Sequence, residues 1–322
     1  MTQPDTQSFK LPVAQIWREA YGFVFSMPMR VLIAAIVPFG LYFLISTAIQ
    51  ITFLNATALE FLAASAALET IDFESADTDF SVFGSFFGVS LQYFAWIAVL
   101  LVFGGLAGAS MAAAWHRTTL IGLDAPRTGF GLFLGAAEFR YFFRALTMVF
   151  ITVALLFVYA VVAMILYAIL MAVVGFIAPV MVGLLAVVVL ALLVILGALI
   201  GLYLWSKLIM SLPAAALGIQ TFGLNAAWSA TRGHVGRLML TYAGLMLPML
   251  VLSFAVSWIF ELVSGGSADV ASITEADLTQ SVLIAIIPNF VISAFSTALV
   301  ASGMSYTYYR LGQPPEWVEK VF

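Results

Sequence analysis

Five arginines and two histidines are the residues whose types best suit chemistry in this chain. Arg18, Arg140, Arg144, Arg232 and Arg237 lie near Trp, Phe or Tyr in short stretches that precede apolar runs. A guanidinium presents a planar fork of N–H donors that matches a phosphate. Aromatic rings beside such groups favour the depth of lipid headgroups. The chemistry on offer is therefore recognition of anionic headgroups, not bond-making. His116 and His234 are the only histidines, and the chain has no cysteine. Two histidines on separate segments lack metal-ligand spacing, so no metal and no cofactor is expected. No nucleophile elbow, P-loop or dinucleotide fingerprint occurs. An intramembrane enzyme would have to draw on His116, His234, Glu138 and nearby arginines. The sequence points away from one.

The elements that must position these residues are membrane spans. The chain has 322 residues, is 64% hydrophobic and only 9% charged, and has a mean hydropathy of +1.12. Soluble chains are roughly 45–50% apolar and about 25% charged. Six runs reach the roughly 20 apolar residues a span needs. They cover 31–54, 86–114, 145–174, 177–205, 238–263 and 282–308. Gly175 and Pro179 punctuate the third and fourth, which predicts a tight helical hairpin. No small-residue cleavage site follows the first run, so that span is expected to stay as an anchor. The fold class is all-α: a single polytopic membrane domain over 1–322 with six transmembrane helices.

All twelve Lys and Arg residues fall on one side of that arrangement. Basic residues near spans stay in the cytoplasm, so both termini are expected there. The other side carries two acidic extracytoplasmic loops, 55–85 and 264–281, and no base. Three stretches on the basic side read as interfacial helices. In LPVAQIWREAYGFVF, Val13, Ile16, Trp17, Ala20 and Val24 share one face, the spacing of an amphipathic helix. GAAEFRYFFRAL and LNAAWSATRGHVGRL carry the other headgroup candidates. Each stretch followed by two spans forms a hairpin unit, over 11–115, 128–207 and 213–310. Trp17 precedes Pro38 much as Trp228 precedes Pro248, which suggests a weak internal repeat.

No ionisable residue lies near the middle of a span, so a proton-coupled carrier is not expected. Gln92, Asn289 and Ser293 are polar groups within spans that would line a mid-membrane cavity. Asn289 follows Pro288, which frees a backbone carbonyl one turn earlier. Gly104 and Gly108 on the second span, and Gly197 and Gly201 on the fourth, form small-residue faces suited to close helix packing.

Pro213-Ala-Ala-Ala, followed by AAWSATRG over 226–233 at the start of a span, carries a resemblance. So does the opening IWREAYGFVFSMPMRVLIAAIVP. The chain resembles the six-span bacterial inner-membrane family related to the membrane domain of glycerophosphodiester phosphodiesterases; the YciC-like proteins look similar. The resemblance implies a bacterial cytoplasmic-membrane protein. In fused members a soluble phosphodiesterase follows the membrane domain. Here LGQPPEWVEKVF follows the last span, so that activity does not carry over. The expected function is a non-enzymatic scaffold or accessory subunit. Its partners would be anionic membrane lipids and another membrane protein or a second copy, with no nucleic acid. The alternative is a small-molecule or lipid transporter.

Overall fold

Without water, a backbone can satisfy its N–H and C=O groups only within helices or closed barrels. This chain uses helices. The computed structural model describes residues 10–69, 81–125, 131–177, 182–263 and 274–311. Among them are α1 (Val13–Ser26), α2 (Pro28–Ile49), α3 (Asn55–Glu69), α4 (Ser81–Ile121) and α5 (Ala136–Ile177). They are followed by α6 (Val182–Leu208), α7 (Ser211–Ala216), α8 (Leu224–Ala230), α9 (Val235–Val263) and α10 (Glu275–Leu311). No strand occurs among the described residues. Six helical stretches are long and apolar enough to cross a membrane, beginning at Pro28, Phe83, Ala136, Leu185, Val235 and Thr279. The all-α, multi-pass architecture stands as the sequence predicts.

Two expectations about the connections need correction. Residues 55–69 are not loop: a π-helical turn, Gln50–Leu54, carries α2 directly into α3. The sequence NATALEFLAASAALE is rich in Ala and Leu, good helix formers. Its Phe61 stacks on Tyr93 of α4 with centroids 5.4 Å apart, and Phe53 of the π-helical turn stacks on Trp96 at 4.5 Å. Residues 275–281 likewise belong to α10. Residues 81–85 open α4, and 70–80 and 264–273 lie outside the described residues.

The second correction concerns the surface helices. GAAEFRYFFRAL is no separate interfacial helix; from Ala136 onward it forms the first turns of the 42-residue α5. Nothing after Gly135 interrupts the helix. Glu138 Oε2 accepts the Gly135 N–H at 2.9 Å and closes the helix start. At 1.5 Å per residue α5 is about 60 Å long, twice the hydrocarbon thickness. α8 is a short helix that Gly233, at φ +81°, turns into α9.

α1 has the predicted amphipathic face, with Ile16, Ala20 and Val24 fully buried. Protein, not lipid, covers that face. Trp17 Nε1 donates to the Thr241 carbonyl on α9 at 2.9 Å, and the Tyr21 hydroxyl to the Gly244 carbonyl at 3.0 Å. Burial pushes the Tyr21 phenol pKa up. Glu19 accepts two bonds from Arg310 Nη2 on α10, at 2.8 and 2.9 Å.

The core sits toward the basic end. One cluster joins Ile16, Ala112, Tyr141, Leu212, Tyr242, Leu245 and Met304; another joins Val31, Phe39, Met111, Trp115 and Ala298. Toward the other end α5 and α6 form an arm. Its most apolar windows are 6% and 0% buried. Tyr159 holds the arm together by donating to the Leu193 carbonyl at 2.6 Å. Of the predicted packing glycines, Gly197 and Gly201 face α5, where added Cβ atoms would meet Tyr159 at 3.0 Å and Leu156 at 3.5 Å. Gly104 faces Tyr42 at 3.0 Å. Gly108 does not pack: a Cβ there would meet nothing within 4 Å.

Gly244 is the glycine on which α1 docking depends. A Cβ there would overlap the Trp17 ring. Gly244→Leu is expected to lift α1 off α9 at a cost of about 1–3 kcal/mol, the range for overpacking. Thermal unfolding in detergent and hydrogen exchange over 13–26 would show it. Unchanged exchange there would refute this role.

Candidate functional site

Among the described residues the basic side chains gather at one end of the bundle, and six of the ten bind the chain's own backbone. α7 has only six residues; the turn after it closes the Pro213, Ala214 and Ala215 carbonyls, and side chains bond the carbonyls around it. Arginines supply the donors. Arg117 Nε reaches the Ala216 carbonyl at 3.0 Å, and Arg140 Nη1 the Gly218 carbonyl at 3.0 Å. Arg144 Nη1 bridges the carbonyls of Ser211 and Phe222, each at 2.9 Å. Gly218, at φ +78°, makes the left-handed turn that brings this segment back past them. Arg30 similarly donates to the Leu123 carbonyl at 2.7 Å. Arg140 and Arg144, read from sequence as headgroup ligands, therefore have structural partners inside the protein.

Beneath the arginines lies a buried polar layer. Arg117 Nη1 and Glu138 Oε1 are 2.6 Å apart, with side chains 8% and 0% exposed. His116 is fully buried, its Nδ1 2.8 Å from the Ser305 hydroxyl and its Nε2 3.4 Å from the Tyr141 hydroxyl. Trp115 Nε1 donates to the Ser302 hydroxyl at 2.7 Å. The layer ties the end of α4 to the start of α5 and the last turns of α10. Sequence reading placed His116 at a span edge; it is inside the bundle. Sequence reading also missed the Arg117–Glu138 pair. A signal existed, because Glu138 is the only acid between Asp124 and Glu261, in a stretch dense with arginine.

This layer has no metal-binding set: no group of three or more His, Cys, Asp or Glu gathers among the described residues. His116 is held by Tyr141 and by Ser305, itself fully buried, and among the described residues no carboxylate bonds its ring. The arrangement fastens helices.

The remaining headgroup candidates divide. Arg18 and Arg237 both line one surface groove of about 660 Å³, together with Pro12, Val13, Ala14, Gln15 and Leu240. Arg237 also donates to the Leu11 carbonyl at 2.9 Å. Arg18 is exposed, and its guanidinium has no hydrogen bond or ion pair among the described residues. Arg232 is exposed elsewhere, beyond α8. Near it, Lys207 donates to the Trp228 carbonyl at 3.3 Å and sits 4.4 Å above the Trp228 ring.

None of the three polar residues expected to line a cavity borders the cavities described here. Gln92 and Asn289 are exposed on the outer faces of α4 and α10. Ser293 is half-buried, and its carbonyl accepts the Ser296 hydroxyl at 3.2 Å. A cavity of about 310 Å³ does exist, nearer the basic end, with Gly105, Gly108, Tyr141, Trp205, Ser296 and Thr297 in its wall. Along α4, Gly105 is about 20 Å from Gln92. Gly108, without a packing partner, opens onto this cavity.

Comparison of the chain with protein-family models, curated proteins and solved structures returns no match.

Removing one partner of a buried ion pair strands the other, at a typical cost of about 3–5 kcal/mol. Glu138→Ala should lower thermal stability by that order. The double variant Arg117→Met/Glu138→Leu should recover most of it. A single variant as stable as the wild type would contradict the role assigned to the pair.

Proposed function

We propose that the protein is a non-enzymatic integral membrane protein, a scaffold or accessory subunit whose basic end engages anionic lipid headgroups. The observation that carries this reading is the Arg18–Arg237 groove. Two guanidinium groups line it together with apolar Pro12, Val13 and Leu240, and Arg18 is free for an outside phosphate among the described residues. Such a lining suits the upper part of an acyl chain while the guanidinium groups hold its headgroup. The α5–α6 arm supports the scaffold part, since Phe157 is 69% exposed and Phe176 92%. A second membrane protein or a second copy would lie against it.

The location in this reading is the bacterial cytoplasmic membrane, both termini on the cytoplasmic side. Support comes from the one-sided distribution of the twelve bases. The sequence segments 213–216 and 226–233 support membership of the family related to the membrane domain of glycerophosphodiester phosphodiesterases. The transporter reading retains one favourable observation, the 310 Å³ cavity, and would use Ser296 and Thr297 in place of Gln92 and Asn289.

Phosphatidylglycerol binding tests the proposal. Measured in detergent against phosphatidylcholine, the wild type should prefer the anionic lipid. Arg18→Gln should weaken that binding about tenfold, equivalent to about 1.4 kcal/mol. Equal affinity of wild type and variant for phosphatidylglycerol would refute the Arg18–Arg237 site.

A further inference from the structure

The end of α6 gathers positive charge that the described residues do not neutralise. Lys207 sits in the last turn of α6 and is only 4% exposed. Its Nζ donates to the Trp228 carbonyl at 3.3 Å and lies 4.4 Å from the centre of the Trp228 ring. An ammonium has three N–H donors. The Trp228 carbonyl takes one of them, and it also accepts the Thr231 hydroxyl at 3.1 Å. Arg232 follows α8 and is exposed, near enough for its charge to act on Lys207. Its guanidinium has no hydrogen bond or ion pair among the described residues. The ion pairs found among those residues, Arg117–Glu138 and Glu19–Arg310, involve neither cation.

Like charges within reach of each other repel, and a cation covered by protein needs a counter-charge. A ring face and one carbonyl supply only partial negative charge. The missing partner is an anion with several acceptor oxygens. Phosphate fits, because it accepts from an ammonium and from a guanidinium fork alike. Position indicates where the phosphate comes from. Tyr203 and Lys207 lie toward the basic end of the apolar stretch Leu185–Ala216. The Tyr203 ring meets Trp228 edge-on with centroids 6.3 Å apart, and Tyr203 is 40% exposed. Tyr and Trp together at the end of a span mark headgroup depth. Basic pockets between span ends are where anionic headgroups bind. We propose that Lys207 and Arg232 hold the phosphate of one anionic membrane lipid beside Trp228. A zwitterionic headgroup would bring a third cation to the pair, so the site selects an anionic lipid. This rests on the reading that the basic end lies at headgroup depth, but it shares no residue with the Arg18–Arg237 groove.

Native mass spectrometry of the full chain in detergent, titrated with dioleoyl phosphatidylglycerol, counts the sites. The wild type should bind two molecules, one in the groove and one at Lys207–Arg232. Arg232→Gln and Lys207→Met should each weaken one of the two by about tenfold and leave the other as it was. Arg18→Gln should weaken only the other, and Arg18→Gln/Arg232→Gln should weaken both. Arg232 is exposed, so its variant should fold even where Lys207→Met does not. Two molecules bound by Arg232→Gln with wild-type affinity would overturn the proposal and leave the groove standing. A single molecule on the wild type, lost in Arg18→Gln alone, would overturn it as well. A single molecule lost in Arg232→Gln alone would support this site and remove the groove instead. Dioleoyl phosphatidylcholine and inorganic phosphate, each at the concentration of the anionic lipid, should displace little of it. Displacement by either as effective as by phosphatidylglycerol itself would overturn the assignment to an anionic lipid.

Discussion

Arginine-to-carbonyl hydrogen bonds on α7 and the loop that follows it are the interaction on which this structure depends. The turn after this six-residue helix closes the Pro213, Ala214 and Ala215 carbonyls with its own N–H groups but leaves the last one, at Ala216, to a side chain. Arg117 bonds that one, Arg140 bonds the Gly218 carbonyl in the turn beyond, and Arg144 ties Ser211, the first residue of α7, to Phe222. A charged donor makes such bonds about twice as strong as neutral ones. Each bond joins elements far apart in sequence, so these one-sided basic residues also fix the packing of the basic end.

The buried layer follows from that convergence. Bringing Arg117 inside requires an anion, and Glu138 supplies it. Glu138 in turn closes the start of α5 through the Gly135 N–H. His116, Tyr141 and Ser305 satisfy one another next to the pair. α1 seals the same end with its Trp17 and Tyr21 bonds to α9 and its Glu19 bonds to Arg310. Away from this end, contacts thin out. The α5–α6 arm stands largely exposed.

Different features were legible to different degrees in the sequence. The six spans and the buried face of α1 follow from apolar length and i, i+3, i+4 spacing, which are local properties. So does the turn at Gly233. The partners of the arginines are not local. Arg144 in GAAEFRYFFRAL looks the same whether it faces a phosphate or the Phe222 carbonyl 78 residues away. Local spacing also shows α1 to be amphipathic without showing that α9 and α10, rather than lipid, cover it. Gln92 and Asn289 misled for a related reason: polar residues in a span carry no label for the face they occupy. Gly108 fits a packing pattern with Gly104, yet only Gly104 meets a neighbouring ring.

The central claim is that Arg144 and its neighbours hold the chain's own backbone. Hydrogen exchange over residues 209–223, compared between wild type and Arg144→Gln in zwitterionic lipid, tests it most directly. The account predicts faster exchange across that segment in the variant, with α2 and α3 unchanged. Exchange over 209–223 identical in the two proteins would contradict it.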